Sequence, residues 1–452
     1  MISDIIFFLL GFFLFSYIFL NWKKGISFYI LYTPFYGAIA LFLYPATFPL
    51  LIKDLFFLLP SYLSFIFHIF IKKQGYVPKL LFTLFFPLFL IVLIQCFNPN
   101  VDNYLVSLIG FKVWLFYFPI AYLSYHLINS ENDILRLCRL IICISWIPCI
   151  VGIIQWIGIV NYGYEEFMIS FYGYDAAFAS TQKFTKFISD VGQYYRIPST
   201  FTYVGQYFGY LLSLLPALYI VIKKDHSYNW RLFAKILFVL VCISAFLGGN
   251  RAAFVFIPLF IFFIFFFQFN LIKALFYGLS IFIGIFIFFS FLGIVPLSIF
   301  GMVFDLVFHY LDTIIIESIT RTLTEFPLGM GTGMNTGAAR YAYGDSEAFG
   351  GRILYESYYA KSIAELGVLG LIVMIIIFWF PLIYFYNKKD LIKVSNMNII
   401  ILTLMSFLTL IAVNSFKGWQ LDMDPMNFYY WFYYGIFLKA IYLTSNSTKK
   451  NL

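Results

Sequence analysis

Apolar runs of about 17–25 residues recur along almost the whole chain, separated by short polar breaks. At about 1.5 Å of rise per residue, a run of that length spans the hydrocarbon core of a bilayer, whereas buried helices of soluble proteins are shorter. Thirteen runs are read, roughly at 4–21, 26–46, 50–71, 79–97, 108–127, 137–160, 201–222, 233–249, 252–268, 272–294, 362–386, 395–415 and 426–444. The chain is 62% hydrophobic and only 11% charged, too few polar side chains to cover a soluble globule. The expected class is an all-α polytopic integral membrane protein, a single transmembrane domain over 1–452 with about 12–14 helices. The first run lacks a basic leader and a small-residue cleavage site, so it reads as a retained helix.

Basic clusters set the orientation. They occur at Lys23–Lys24, Lys72–Lys73–Lys79, Arg136–Arg139, Lys223–Lys224–Arg231–Lys235, Lys273, Lys388–Lys389–Lys393 and Lys449–Lys450, at every second boundary between runs. Positive charge is retained on the cytoplasmic side, so these boundaries face inward and the alternate ones outward. The net charge of +8 therefore serves topology and does not imply a nucleic-acid partner. The second and third runs are the least defined, because Pro45, Pro49, Lys53 and Asp54 crowd what reads as a short turn. The five cysteines lie in or beside apolar runs, without metal or disulfide spacing.

Two outward boundaries are long, 161–200 and 295–361, and both are expected to be periplasmic loops. In the larger, Pro296 to Ser318 reads as an amphipathic helix with Asp305, His309 and Asp312 on one face. A metal could be held there in principle, but the polar face of such a helix accounts for them without one. Pro327, Gly329, Gly331, Gly333 and Gly337 then break regular structure and permit close backbone approach.

Arginine placement carries the functional signal. Arg196, Arg251, Arg321, Arg340 and Arg352 fall on or near the outer side, against the positive-inside tendency. A planar, permanently charged fork suits bidentate binding of phosphate. Arg251 and Arg196 adjoin membrane runs, where a charge is costly unless it meets a partner or a polar cavity. Snorkelling to the interface or pairing with loop carboxylates accommodates the same residues. Glu356, at the end of the outer loop, is the candidate general base for a sugar hydroxyl, with Asp345 and Glu347 as rivals. A carboxylate complementing a helix N-terminus is the other reading of Glu356. Glu365 reads as structural, paired with Lys361 at i, i+4. Tyr358 and other loop aromatics offer faces for sugar rings, although interfacial anchoring explains many of them equally well.

Three segments carry a family resemblance. FLGGNRAAF (246–254) resembles the S-x-x-R region of the O-antigen polymerase (Wzy-type) and O-antigen ligase superfamily of membrane glycosyltransferases. RIPSTFTYVGQYFGYLL resembles the family's R-x-x-x-T-F entry to a central span. PLGMGTG followed by ESYYAKSIAELGVLG resembles its P-x-G-x-G-x-G loop and E-L-G-x-x-G helix start. The resemblance covers about residues 100–445. It implies a bacterial inner-membrane enzyme with its active site facing the periplasm, moving a glycan from undecaprenyl pyrophosphate to a sugar hydroxyl with inversion and no metal or other cofactor. It implies that Arg196, Arg251 and Arg321 grip the pyrophosphate, and that a chain-length regulator is a possible partner. The ligases carry histidine as base eleven positions before the helix glycine, where this chain has Glu356. That departure favours a polymerase, joining one lipid-linked repeat to another, over a ligase acting on lipid A–core. A flippase of lipid-linked sugars is the rival from another class, and would usually show repeated halves around a central cavity.

Overall fold

A computed structural model describes residues 2–45, 48–72, 76–181, 186–189, 192–248, 252–269, 271–291, 310–336 and 356–450. Among these, seven helices are long and apolar enough to cross a membrane: Phe48–Ile71, Lys79–Cys96, Tyr104–Leu127, Glu131–Tyr162, Val204–Lys224, Tyr228–Leu247 and Tyr358–Asn387. The pair Trp22–Tyr32 and Tyr36–Phe42, bent by 65°, makes an eighth if it is counted as one span. Helices also occupy the other expected runs, at Ile2–Leu20, Ala253–Gln268, Leu271–Phe291, Asn398–Asn414 and Met426–Lys450. The protein is thus a polytopic all-α membrane protein. Large apolar side chains such as Phe12, Ile94 and Leu369 stay about 70% exposed, as surfaces meeting lipid do.

The chain divides into two compact units, one of Met1–Val77 with Tyr125–Phe254 and one of Pro78–Ser124 with Val255–Leu452. In the first, the loop expected at 161–200 is ordered locally. Two short helices, Tyr164–Tyr172 and Tyr174–Thr181, fold onto Leu41, Ile159 and Ile197 through Met168, Tyr172, Ala176 and Ala177. A two-stranded antiparallel hairpin follows, Lys186–Ser189 with Gly192–Tyr195, in which Lys186 faces Tyr195.

The stretch after the hairpin is pinned by polar contacts to helix backbone. Ser199 Oγ donates to the Pro148 carbonyl at 2.5 Å, and Tyr207 OH donates to the same oxygen at 3.2 Å. Gln155 Nε2 reaches the Ser199 carbonyl at 2.9 Å, and the Ala38 amide donates to Thr200 O at 2.7 Å. Each bond satisfies a buried polar group that lipid or side-chain carbon could not. Lys53 and Asp54 do not occupy a turn. They lie buried within helix Phe48–Ile71, paired at 3.2 Å, with the Lys53 amine over the Tyr36 ring.

At the basic end of this unit, Arg139 clamps Asp225 with two bonds, Nε to Oδ2 at 2.6 Å and Nη2 to Oδ1 at 2.7 Å. The Trp230 ring lies 5.4 Å from the guanidinium. Arg139, expected only as a topology charge, therefore fastens helix Glu131–Tyr162 to the end of helix Val204–Lys224. Burial raises the Asp225 carboxyl, but bonds from Arg139 and the Ser227 amide more than offset this, and the net direction is down.

In the second unit, helices Asn398–Asn414 and Met426–Lys450 are buried along most of their length and form the core. The first ten residues of helix Tyr358–Asn387 are buried on every side. Phe85 of helix Lys79–Cys96 packs edge-on to Trp431 and beside Tyr434.

Candidate functional site

The site grows from a break in helix Tyr358–Asn387. Gly367 adopts φ 76° and ψ −175°, so the helix stops and restarts there. The break frees backbone groups that the helix would otherwise pair, and the glycine-rich turn 327–336 takes them. The Met330 amide donates to Ala364 O at 2.7 Å, the Gly331 amide to Glu365 O at 3.2 Å, and the Val368 amide to Pro327 O at 3.0 Å. A broken helix inside a membrane protein is tolerated only where protein or water re-satisfies the opened bonds, as this turn does.

Two helices hold the turn from its other side. Gln95 Nε2 donates to Leu328 O at 2.6 Å and Asn98 Nδ2 to Gly329 O at 3.2 Å. Thr332 Oγ1 donates to Ser107 O at 3.2 Å. Gly333 shows why the motif needs glycine. Its φ is +87°, and a Cβ there would stand 2.1 Å from the Val106 carbonyl oxygen.

At the centre sits the carboxylate of Glu365, with no exposed surface. Oε2 accepts from the Trp114 indole at 2.7 Å and from the Gly333 amide at 2.9 Å, while Oε1 accepts from the Asn335 amide at 2.9 Å. One carboxylate thus fastens the turn, helix Tyr104–Leu115 and the helix break. With three donors already upon it, it is a clamp and not an open general base. The expected Lys361–Glu365 pair does not form, because both side chains find better partners elsewhere.

Lys361, fully buried, instead bonds Asp422, and its amine sits 5.2 Å from the Trp114 ring centre and 5.8 Å from that of Tyr358. Asp422 belongs to the turn between helices Asn398–Asn414 and Met426–Lys450, and its side chain is 14% exposed. Its second oxygen, Oδ1, is buried and has no hydrogen-bond partner among the described residues, as is true of Asn335 Nδ2. Burial pushes the Asp422 carboxyl up, Lys361 pulls it part-way back, and Glu365 adds to the upward push.

The expected site residues are distributed unevenly. Tyr358 is in this cluster, 4% exposed and packed on Trp114 and Phe378, beneath Lys361 rather than open to a ligand. Glu356 is exposed, next to Ser357, which caps the helix by accepting the Ala360 amide at 3.3 Å. Arg321 lies on helix Ser318–Glu325, which packs through Ile319, with Phe326 just past its end, on Met330, Ala360 and Ala364, and it bonds Glu325 at 2.7 Å. Arg196 is in the first unit, half-buried, next to Ile197, whose amide donates to Gly248 O at 3.3 Å. Arg251, Arg340 and Arg352 lie outside the described residues, as do Asp305, His309, Asp345 and Glu347 and the side chain of Asp312.

Sequence reasoning overlooked Trp114, Asn335 and Asp422. Lys361 and Glu365 did carry a signal, since ionisable residues at the start of a membrane helix are costly and need partners. Nothing local marks Trp114, one aromatic in an apolar run. No family model, no curated protein and no solved structure matches the chain.

Proposed function

We propose that the protein is a polysaccharide polymerase of the O-antigen type, a membrane glycosyltransferase that joins one polyprenyl-pyrophosphate-linked glycan to a second lipid-linked repeat. One observation carries this reading. The two motifs behind the later part of the resemblance, the glycine turn and the helix start, interlock through Glu365 and the break at Gly367. They behave as one structural device, as a shared functional motif should.

In the reaction, the acceptor hydroxyl oxygen attacks the anomeric carbon from the face opposite the leaving group. The carbon–oxygen bond to pyrophosphate breaks, its electron pair leaves with the phosphate, and the hydroxyl proton passes to a carboxylate. Charge develops on the leaving oxygen, so fixed cations lower the barrier most. Arg196 and Arg251 are assigned that role, with Arg321, Arg340 and Arg352 as further pyrophosphate or glycan contacts. Glu356 remains the assigned base, and Asp422, with one oxygen unfilled, is a second candidate. The site is assigned to the periplasmic face of the bacterial inner membrane, where the polyprenyl chains stay in lipid while their sugars meet.

The test is elongation of a purified lipid-linked repeat by the purified protein in proteoliposomes, with and without lipid A–core as acceptor. Products extended by successive repeats are expected. Movement of the substrate across a vesicle membrane without elongation would replace this reading with a transporter, and transfer only to lipid A–core would replace it with a ligase.

A further inference from the structure

A second concentration of cationic groups surrounds a void elsewhere in the second unit. Helix Tyr358–Asn387 ends at Asn387, the short helix Lys389–Lys393 turns the chain, and helix Asn398–Asn414 leads back. With the end of helix Ala253–Gln268 they enclose a cavity of about 250 Å³. Phe267 and Phe385, with ring centres 5.9 Å apart, form an apolar wall. Gln268, Asn398, Lys389 and Lys393 supply two carboxamides and two amines to the lining, and no carboxylate lines it among the described residues.

The two amines are weakly engaged. Lys389 Nζ rests 5.3 Å from the Tyr386 ring centre. Lys393 Nζ stands 3.9 Å from Asp390, a carboxylate that is fully exposed while Lys393 itself is 63% exposed. Contacts so long and so wet contribute little and are readily exchanged for a better anion. A concave lining with amines, amide donors and one aromatic wall complements a phosphate carrying an apolar chain. The volume lies below the roughly 300–1,000 Å³ of a site for a whole drug-sized ligand, so it fits a headgroup and leaves the chain outside.

We propose that this cavity binds the phosphate headgroup of an anionic lipid, with Lys389 and Lys393 as the charge partners and Gln268 and Asn398 as amide donors. The site is independent of the glycosyltransferase reading and would persist if that reading failed. A lipid is favoured over free phosphate because the cavity ends apolar helices and one wall is aromatic.

The experiment is native mass spectrometry of the full-length purified protein with phosphatidylglycerol, phosphatidylcholine or inorganic phosphate added separately. Wild-type protein is expected to retain phosphatidylglycerol over phosphatidylcholine by about tenfold, and Lys389→Met/Lys393→Met to lose that preference. Lys389→Arg/Lys393→Arg should keep it, which separates charge from damage to the fold. Lys223→Met, in the last turn of helix Val204–Lys224, should leave it unchanged. Equal retention of both lipids by wild type, binding of inorganic phosphate without preference for the anionic lipid, or wild-type retention by the double methionine variant would each overturn the proposal.

Discussion

The Trp114 indole N–H donates to the Glu365 carboxylate at 2.7 Å although 251 residues separate them in the chain. This bond and the two backbone amides on the same carboxylate make Glu365 the fastening point of the second unit's glycine turn. The arrangement is a buried anion matched by donors, which is strong when complete and costly when one member is removed.

Glu365→Ala leaves three donors facing a void. A loss of about 3 kcal/mol or more is expected, read as a lowered unfolding temperature in detergent. Trp114→Phe removes a single donor and should cost about 1–3 kcal/mol. Equal melting of Glu365→Ala and wild type would refute the clamp.

Gly333→Ala forces a Cβ into the Val106 carbonyl at a positive φ, and should destabilise by about 2–4 kcal/mol. Gly284→Ala provides the contrast. A Cβ there meets nothing within 4 Å on an exposed helix face, so stability should hold or rise by up to about 1 kcal/mol. Matched chemical-denaturation curves would compare the two variants.

Lys361→Met leaves Asp422 beside Glu365 with no cation between them, and Asp422→Asn leaves a buried ammonium. Each single change should cost about 3–5 kcal/mol, whereas the double variant should recover much of that, because a buried pair is weak in net terms but expensive to break. A double-mutant cycle measures the coupling, and strict additivity would contradict it.

Acid should weaken the Arg139–Asp225 clamp. Asp225 has its folded pKa below its unfolded one, so its contribution is present above the unfolded aspartate value of about 3.9 and disappears as pH falls through the folded value. Wild-type melting temperature should therefore drop on acidification below about pH 4 by more than that of Asp225→Asn. Parallel melts across that range decide it.

For the proposed activity, Arg196→Ala and Arg251→Ala should abolish chain extension while the protein stays in the membrane at normal level. Glu356→Gln, at an exposed position, and Asp422→Asn in the Lys361→Met background, which removes the buried unpaired charge, identify the base. The variant that loses elongation by about a hundredfold or more while keeping its fold marks the carboxylate that takes the proton. Wild-type chain lengths in both arginine variants would defeat the assignment of pyrophosphate binding.

The membrane-spanning runs were readable because hydropathy is a local property. In lipid each segment must close its own backbone bonds, so a long apolar run has little choice but to be a helix. The same locality explains the errors. Pro45, Pro49, Lys53 and Asp54 read as crowding a short turn, whereas Lys53 and Asp54 satisfy each other inside helix Phe48–Ile71. Arg139 looked like one more cytoplasmic charge, because nothing near it in sequence announces Asp225, 86 residues away.

The candidate site divides in the same way. The amino-acid sequence by itself determined that residues 327–333 could turn sharply, that a membrane helix would run over about 362–386, a turn short of its observed start at Tyr358, and that charges stood at 361 and 365. It suggested that those two charges would pair, since they share a helix face. Tertiary structure decided otherwise. A buried charge goes to whichever donors reach it with the best geometry, and here those were Trp114, Gly333 and Asn335 for Glu365, and Asp422 for Lys361. Such partners are chosen by packing between distant segments, so spacing along the chain cannot specify them.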